Sequence, residues 1–597
     1  MKHPIFLAFF RWFLVLTLVI GLLLVLAYFL SFEAVTSLLN KLAPDGEFTS
    51  FTFERFQALS RLSGLIGLIL VILSGVMLMK WEYTRERIEK LLSQIRDFNQ
   101  AFRNDARAYF NALSFGGGSR IDRLVLLGLI LVAVVMRIAS LNIPLTHDEA
   151  YSYNAFASES FWQTVSDYHL PNNHVLQSII VNLVTHLFGN QLWLIRLPST
   201  IAGVLMVPAS YMLGKRLYGR DAGLLSAAMV AVYPVLVTHS VLARGYPFLS
   251  LITLLTLVVG DQVRENKNRF AWFLMILLSA LGFFTIPIML FPFGALYIWL
   301  FLSCILGDIH GYGSKLDFLK YWLVSGFASA FLTVLLYMPI LMNNLDRFFG
   351  NQFVAPLDWD VFPATIWVRL RNTWWDWTSS IPGWIVILGI LGLINSLILH
   401  NKISKQRIPQ QFAFLVWIAV LLIARRPDME PRMWLFLTSP LLIWSAGGIV
   451  GTLKILSDAS GRRVPLAQIF VGVVVLSAFL FCVFTVPTIP DRLRQKSSVE
   501  SAAIYLADHL RDGDMVTAST VFFPQLRYYF NIYGVFPDYL RRSGPFQRVF
   551  IVVGWRDKNT LEAEAPRKGS RLAIDLDTTT IVLQLENLTI YEAYPVP

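Results

Sequence analysis

The chain has 597 residues, of which 55% are hydrophobic and 15% charged, with a mean hydropathy of +0.57. Soluble proteins carry roughly 25% charge, so this composition excludes a string of water-soluble domains and points to a membrane protein crossing the bilayer many times. The net charge of +11 does not indicate a nucleic-acid partner, because the basic residues sit in short segments between apolar runs, which is how membrane topology is written.

In chain order, the apolar runs predict thirteen membrane-spanning helices, near 5–31, 62–80, 122–142, 197–214, 222–242, 247–262, 270–286, 289–306, 320–341, 383–400, 411–424, 433–453 and 466–486. The first follows Lys2, contains Arg11, and is too long for a signal-peptide core; it reads as a retained signal anchor. Between 81 and 112, Ile88, Leu92, Ile95, Phe98 and Phe102 recur at helical spacing, predicting a basic amphipathic helix. The apolar segment 174–189 carries Asn182 and His186 and reads as a helix along the membrane surface. Cys304 and Cys482 both fall inside apolar runs, which gives neither a disulfide framework nor a zinc spacing.

The basic residues set an orientation. Arg85, Arg87, Lys90 and Arg96, then Lys215 and Arg216, Lys315, Lys402 and Arg462 all fall on one side if thirteen spans alternate and 174–189 does not cross. That side is cytoplasmic by the positive-inside rule. The N-terminus is then cytoplasmic and the C-terminus extracytoplasmic. After about residue 487 the chain turns soluble-like. A capped helix at 497–511, strands at "MVTAS" and "RVFIVVGW", a helix at "FFPQLRYYF" and a hairpin through "TIVLQLE" and "LTIYEAY" predict a small extracytoplasmic α/β domain. The expected organisation is a two-span extension with its basic helix (1–120), a helical core (121–487) and the α/β domain (488–597).

The chemistry gathers at the extracytoplasmic ends of the spans. There lie His147, Asp148 and Glu149, then Asn172, Asn173 and His174, then Arg196, His239, Arg244 and Arg425, Arg426 and Arg432. Ionisable residues near the bilayer mark function by default. Arginine binds phosphate oxygens in a bidentate fork, so a lipid-borne phosphate explains these positions. A sugar joined to that phosphate has a good leaving group, and a weak attacking hydroxyl needs a base within hydrogen-bond reach; Asp148 suits that role. The plainer reading is that the acids cap a helix N-terminus. A divalent metal on His147, Asp148 and Glu149 is the less favoured reading, because neighbouring residues need a distant third ligand; no cofactor is required. The Trp-rich "RNTWWDWTSS" reads first as an interface belt, "DWD" at 358–360 is too short to specify a metal, and "NLT" at 587–589 is a formal glycosylation sequon.

"LTHDEAYSYNAFA", "NNHVLQSIIVNLVTHLFG", "RLPSTIAGVLMVPASYMLGKRLYG" and "SVLARGYPF", in that order over 121–450, resemble the GT-C membrane glycosyltransferases, in particular the protein-mannosyltransferase and aminoarabinose-transferase-like branch. The resemblance implies an all-α polytopic GT-C fold and an inverting enzyme that moves a sugar from a polyprenyl-phosphate donor to an acceptor glycan, lipid or protein. It implies that Asp148 is the general base, with Glu149 binding or orienting substrate, and that Arg196, Arg244, Tyr246, His174 and Arg432 hold the donor phosphate. His147, Tyr151 and Asn173 are expected to contact acceptor or sugar. The chain departs from the family at Asn173-His174-Val175-Leu176, where many members have a Pro-Pro pair. Motif style suggests a bacterial inner membrane. The rival class is a transporter or flippase, which usually places charges at the midplane between inverted repeats; no repeat is visible here.

Overall fold

The structure is a computed structural model that describes residues 3–42, 52–113, 119–349, 355–459, 465–488, 498–554, 560–568 and 571–596. Each of the thirteen apolar segments falls on a helix. Among the described residues, eight helices are long and apolar enough to cross a membrane, or ten if each of two bent pairs is one span. Three expected spans lie outside that set. Arg120–Ala139 carries Arg120, Asp122, Arg123 and Arg137, while Arg269–Thr285 and Gln410–Arg425 have only 17 and 16 residues. The segment read as a surface helix is Val175–Phe188, with 14 residues.

The chain forms two compact units, Met1–Asp105 and Ala106–Pro597. In the first, His3–Tyr28 packs along Phe53–Met79. Small residues permit the contact: a Cβ on Gly67 would stand 2.7 Å from the carbonyl oxygen of Gly21, and close backbone approach is how helices associate in lipid. Trp81–Leu113 is the expected long amphipathic helix, with Ile95 and Phe98 of its apolar stripe exposed.

The second unit is a bundle with a small mixed domain seated on it. Gly383–Ile398 and Leu435–Ala459 touch backbone to backbone, since a Cβ on Gly448 would lie 1.8 Å from the Gly392 carbonyl oxygen. Proline lacks a backbone donor and breaks helices; at Pro234 the chain bends by 58° between Arg220–Val232 and Pro234–Ser240. At that bend the Ala231 carbonyl accepts from Nη1 of the fully buried Arg137 at 3.0 Å. A second pair, Phe362–Thr378 and Gly383–Ile398, meets at 114°.

Charges collect at both ends of the bundle. At the C-terminal ends of Leu192–Tyr218 and Tyr246–Glu265, Asp261 binds Arg216 (2.6 Å) and Arg264 (3.0 Å), and Arg264 reaches Asp308 (3.0 Å). The N-terminal ends of the same two helices, about 30 Å away at 1.5 Å per residue, carry Arg196 and Tyr246.

In the C-terminal domain, Asp514–Ala518 pairs in parallel with Arg548–Gly554, which pairs antiparallel with Leu588–Ala593; Thr580–Gln584 closes the hairpin. Helices Ser498–His509 and Phe523–Tyr533 complete it. These elements follow the sequence expectation, because alternating apolar residues and turn signals were strong there. The domain docks through Phe523–Tyr533. Its Leu526 and Phe530 share an apolar cluster with Leu145, Ala150, Tyr153 and Ile195.

Candidate active site

A short helix, His147–Ser152, carries the acid pair. Its start is fixed by a capping box: Thr146 Oγ1 accepts from Glu149 N at 3.3 Å, and Glu149 Oε2 accepts from Thr146 N at 3.0 Å. This is the S/T-x-x-E signature of a helix N-terminus. A five-residue π turn, Tyr153–Ala157, follows; such turns recur at functional sites. The C-terminal domain packs against the helix and the segments around it. Asn154 Nδ2 donates to Pro524 O at 2.7 Å, Gln525 Nε2 to Leu145 O at 2.5 Å, and Tyr528 Oη to Asn190 O at 2.9 Å. His147 Nδ1 lies 2.9 Å from Val521 O, so one ring nitrogen of this expected acceptor contact is engaged with the domain.

Neighbouring positions on a helix point about 100° apart, and here they separate two roles. Glu149 is fully buried and forms a two-pronged ion pair with the equally buried Arg196, Nε to Oε1 at 2.8 Å and Nη2 to Oε2 at 2.9 Å. The Ala243 amide adds a third donor at 2.8 Å. Burial favours the neutral carboxyl, but the Arg196 charge and the Ala243 and Thr146 amides outweigh it and hold the Glu149 pKa below its ordinary value. Arg196 spends its remaining donors on the Leu141, Ile143 and Pro144 carbonyls. Neither residue has a free group to offer a ligand. The expected phosphate contact at Arg196 and substrate contact at Glu149 are corrected accordingly: the pair fastens the loop before the acid helix to Leu192–Tyr218.

Asp148 faces the other way. Its side chain is 25% exposed, and Oδ2 accepts from Arg432 Nη1 at 2.8 Å; Arg432 Nη2 binds Glu430 at 2.7 Å. Arg244 anchors on the same helix, with Nη1 donating to the Asp148 carbonyl at 3.1 Å and to Ser152 Oγ, and Nη2 to Asn172 Oδ1 at 3.2 Å. Tyr246, buried, lies 5.9 Å below the Arg244 guanidinium. Residues from four separate segments therefore meet: Asp148, His174, Arg244 with Tyr246, and Arg432.

Among the described residues, three donors in this cluster find no acceptor. The Nε atoms of Arg244 and Arg432 are buried without a partner there. His174 Nδ1 accepts from the Gly245 amide at 2.8 Å, so the ring proton resides on Nε2, which faces Arg244 Nη2 at 3.4 Å, donor against donor. Burial, then the charges of Arg244 and Arg432, push the His174 pKa well below its ordinary value, so the imidazole is neutral. Buried donors without acceptors are rare in native proteins, and together they ask for an anion. A cavity of about 230 Å³ opens beside them, lined by His174, Tyr246, Arg425 and Asp428. Leu290 also lines an apolar groove of about 580 Å³, with Phe293, Tyr297, Trp322, Phe327 and Trp417. Trp417 closes over Gly294, where a Cβ would stand 2.1 Å from the indole, and donates to Leu290 O at 2.9 Å.

The Asn173 Nδ2 donates to Thr164 O (3.1 Å) and Asp167 O (2.8 Å) and holds the 164–173 loop, while its Oδ1 is buried with no partner among the described residues. Tyr151 is half-buried, and its Oη lies 2.9 Å from His169 Nε2. Asp428 is taken by Arg369 at 2.6 Å, and Arg426 donates to Leu357 O at 2.7 Å. The sequence reading missed Ser152 and Asn172 as partners of Arg244, and missed Asp167 and His169. The capping box alone was available as a signal, and it marked Glu149 as structural. Among the described residues, no group of three His, Cys, Asp or Glu side chains converges on a metal position.

The family model for dolichyl-phosphate-mannose-protein mannosyltransferase matches residues 175–316. The fold matches ArnT from Cupriavidus metallidurans in the apo state, with a TM-score of 0.52 at 12% identity over 79% of this chain and 98% of that one. The chain shares its fold with the GT-C membrane glycosyltransferases. ArnT bound to undecaprenyl phosphate aligns with a TM-score of 0.49, at 12% identity over 79% of this chain and 97% of that one. Archaeal oligosaccharyltransferase AglB from Archaeoglobus fulgidus, in complex with an inhibitory peptide and a dolichol-phosphate, gives 0.44 at 12% identity over 72% and 61%. No curated protein matches the sequence. The family-model match starts one residue after His174 and covers Arg196, Arg244 and Tyr246; the acid helix precedes it.

Proposed function

We propose that this GT-C protein transfers a sugar from a polyprenyl phosphate to an acceptor hydroxyl or amine at the extracytoplasmic membrane surface, with inversion at the anomeric carbon. The observation that supports it most is the set of unmatched donors on Arg244, Arg432 and His174, gathered beside Asp148 and bordering, through His174, a cavity that shares Leu290 with an apolar groove. A phosphate fills the first need, and a long apolar chain the second. Burying such a chain contributes about 0.8 kcal/mol per CH₂ at most. ArnT, the fold relative, is known bound to undecaprenyl phosphate.

The donor phosphate sits against Arg244, Arg432 and His174 Nε2–H, with Tyr246 flanking it. The acceptor oxygen or nitrogen forms its bond to the anomeric carbon while the bond from that carbon to the phosphate oxygen breaks. The acceptor's proton passes to Asp148, and the electron pair leaves with the polyprenyl phosphate, where both guanidiniums stabilise the developing charge. Asp148 Oδ2 accepts from Arg432 Nη1 at 2.8 Å. An arriving phosphate competes for the same guanidinium, so donor binding releases the base. Donor binds first, and acceptor second. Glu149 and Arg196 hold the scaffold.

The thirteen-span reading puts this cluster outside and the Arg216–Asp261–Arg264 network inside, matching the basic loops between 80 and 123 and after 215. The membrane is read as a bacterial inner membrane. The test is comparative mass spectrometry of envelope glycans and lipids from cells with and without the chain. One glycan should lose a single sugar when the chain is absent, and Asp148→Asn should fail to restore it. Full restoration by Asp148→Asn removes Asp148 as the base.

A further inference from the structure

Beside the acid pair runs a second hydrogen-bonded series that the donor site does not use. His169 Nδ1 lies 2.8 Å from Asp167 Oδ1, which also accepts the His169 amide at 3.0 Å. A carboxylate only accepts, so Nδ1 carries the ring proton, and in the neutral ring Nε2 is an acceptor. Tyr151 Oη lies 2.9 Å from that Nε2. Burial, then the charge of Asp167, raise the Tyr151 pKa, so the phenol keeps its proton and donates it to His169. The hydroxyl's lone pairs are then left for another donor. The loop carrying this pair is held by the Asn173 side chain and by Ser152 Oγ, which donates to Asn172 O at 3.2 Å. Its imidazole packs 5.0 Å from the ring of fully buried Phe156, which the π turn brings there. Asp167 and His169 keep side-chain exposures of 30% and 27%, so the series borders open space. Tyr151 stands three positions after Asp148, one turn along the same helix.

We propose that Asp167 and His169 fix the direction of the Tyr151 hydroxyl, so that Tyr151 accepts a hydrogen bond from the attacking substrate and presents it to Asp148. Asp167 and His169 are positioning residues, acting through Tyr151. The inference rests on the glycosyl-transfer reading and adds a requirement on the acceptor: it carries a second hydroxyl or N–H near the attacking atom, as a sugar or a polyol does. The donor site is untouched by the relay, so donor affinity is independent of it.

Two measurements test it. First, ¹⁵N-histidine spectra of the full chain in nanodiscs, assigned by comparison with His169→Gln, should show His169 protonated at Nδ1 and bare at Nε2. A proton on Nε2 alone, or on both nitrogens at neutral pH, overturns the proposal. Second, the envelope product is quantified in cells carrying variants, with binding of undecaprenyl phosphate measured on each purified protein. Tyr151→Phe should lower product about tenfold, the scale of one lost hydrogen bond to substrate. His169→Lys, which donates to Tyr151 and takes its lone pair, should lower it similarly. His169→Gln offers an acceptor to Tyr151 and a donor to Asp167 and should exceed the lysine variant several-fold, a difference that a purely structural role does not give. Equal product from the glutamine and lysine variants, or full product from Tyr151→Phe, overturns the relay while leaving the donor reading intact. Wild-type protein that binds no undecaprenyl phosphate defeats the donor reading instead, and the spectra still decide the direction of the hydroxyl.

Discussion

Glu149 and Asp148 are adjacent in sequence, yet one is sealed and the other open. The two Glu149 oxygens hold donors from Arg196, Ala243 and Thr146. Asp148 Oδ2 holds one, Arg432, in a pair that reaches solvent. Removing one partner of a buried ion pair leaves an uncompensated charge, which costs about 3–5 kcal/mol. Glu149→Gln should therefore lower the apparent melting midpoint sharply, and Glu149→Gln combined with Arg196→Met should recover part of the loss. A catalytic role for Glu149 would instead give a stable, inactive single variant. This division was half legible. "THDE" spells a capping box and so assigns Glu149 to the helix start. Nothing in "WLIRLPS" tells whether Arg196 meets a phosphate or a buried carboxylate, because that depends on a partner 47 positions away. Asp167 and His169 were invisible for the same reason: their meaning comes from Tyr151, which lies in a different element.

At the scale of elements, breaks do the positioning. The bend at Pro234, held by Arg137 on the Ala231 carbonyl, sends the chain to Ala243 and Arg244, which bind Glu149 and the acid helix. Apolar runs announced the long helices of the bundle, since their composition is dictated by lipid; the acid helix and Phe362–Thr378 carry no such run. The bends were less legible; the 222–242 run reads as one span, and only Pro234 hints otherwise. The apolar groove depends on Gly294 in Leu290–Ile305. A methyl there collides with Trp417 and frees the indole from Leu290 O. Gly294→Ala should destabilise by about 1–3 kcal/mol, as overpacking does, and should weaken undecaprenyl phosphate binding while leaving binding of inorganic phosphate unchanged. Unchanged lipid affinity would detach the groove from the donor chain.

Across the whole molecule, two charged layers terminate the bundle about 30 Å apart, and the C-terminal domain rests directly on the acid helix. Docking of that kind was not readable, since the sequence shows only a compact α/β segment after 487. Cys304 and Cys482 are buried, so a variant lacking both accepts single surface cysteines. A cysteine replacing Lys402 should react with a membrane-impermeant maleimide only after the membrane is opened, and one replacing Phe536 in intact cells; the reverse pattern inverts the topology. The central claim is narrower: a lipid phosphate takes Arg432 from Asp148. Binding of undecaprenyl phosphate to the protein in nanodiscs tests it without knowledge of the sugar or the acceptor. Asp148→Asn should bind several-fold tighter than wild type, since a surface ion pair of up to about 1 kcal/mol no longer competes. Arg432→Ala should bind at least about tenfold weaker, as loss of a charge-assisted contact implies, and the double variant should match Arg432→Ala. Wild-type affinity in Arg432→Ala, or weakened binding in Asp148→Asn, would contradict the account.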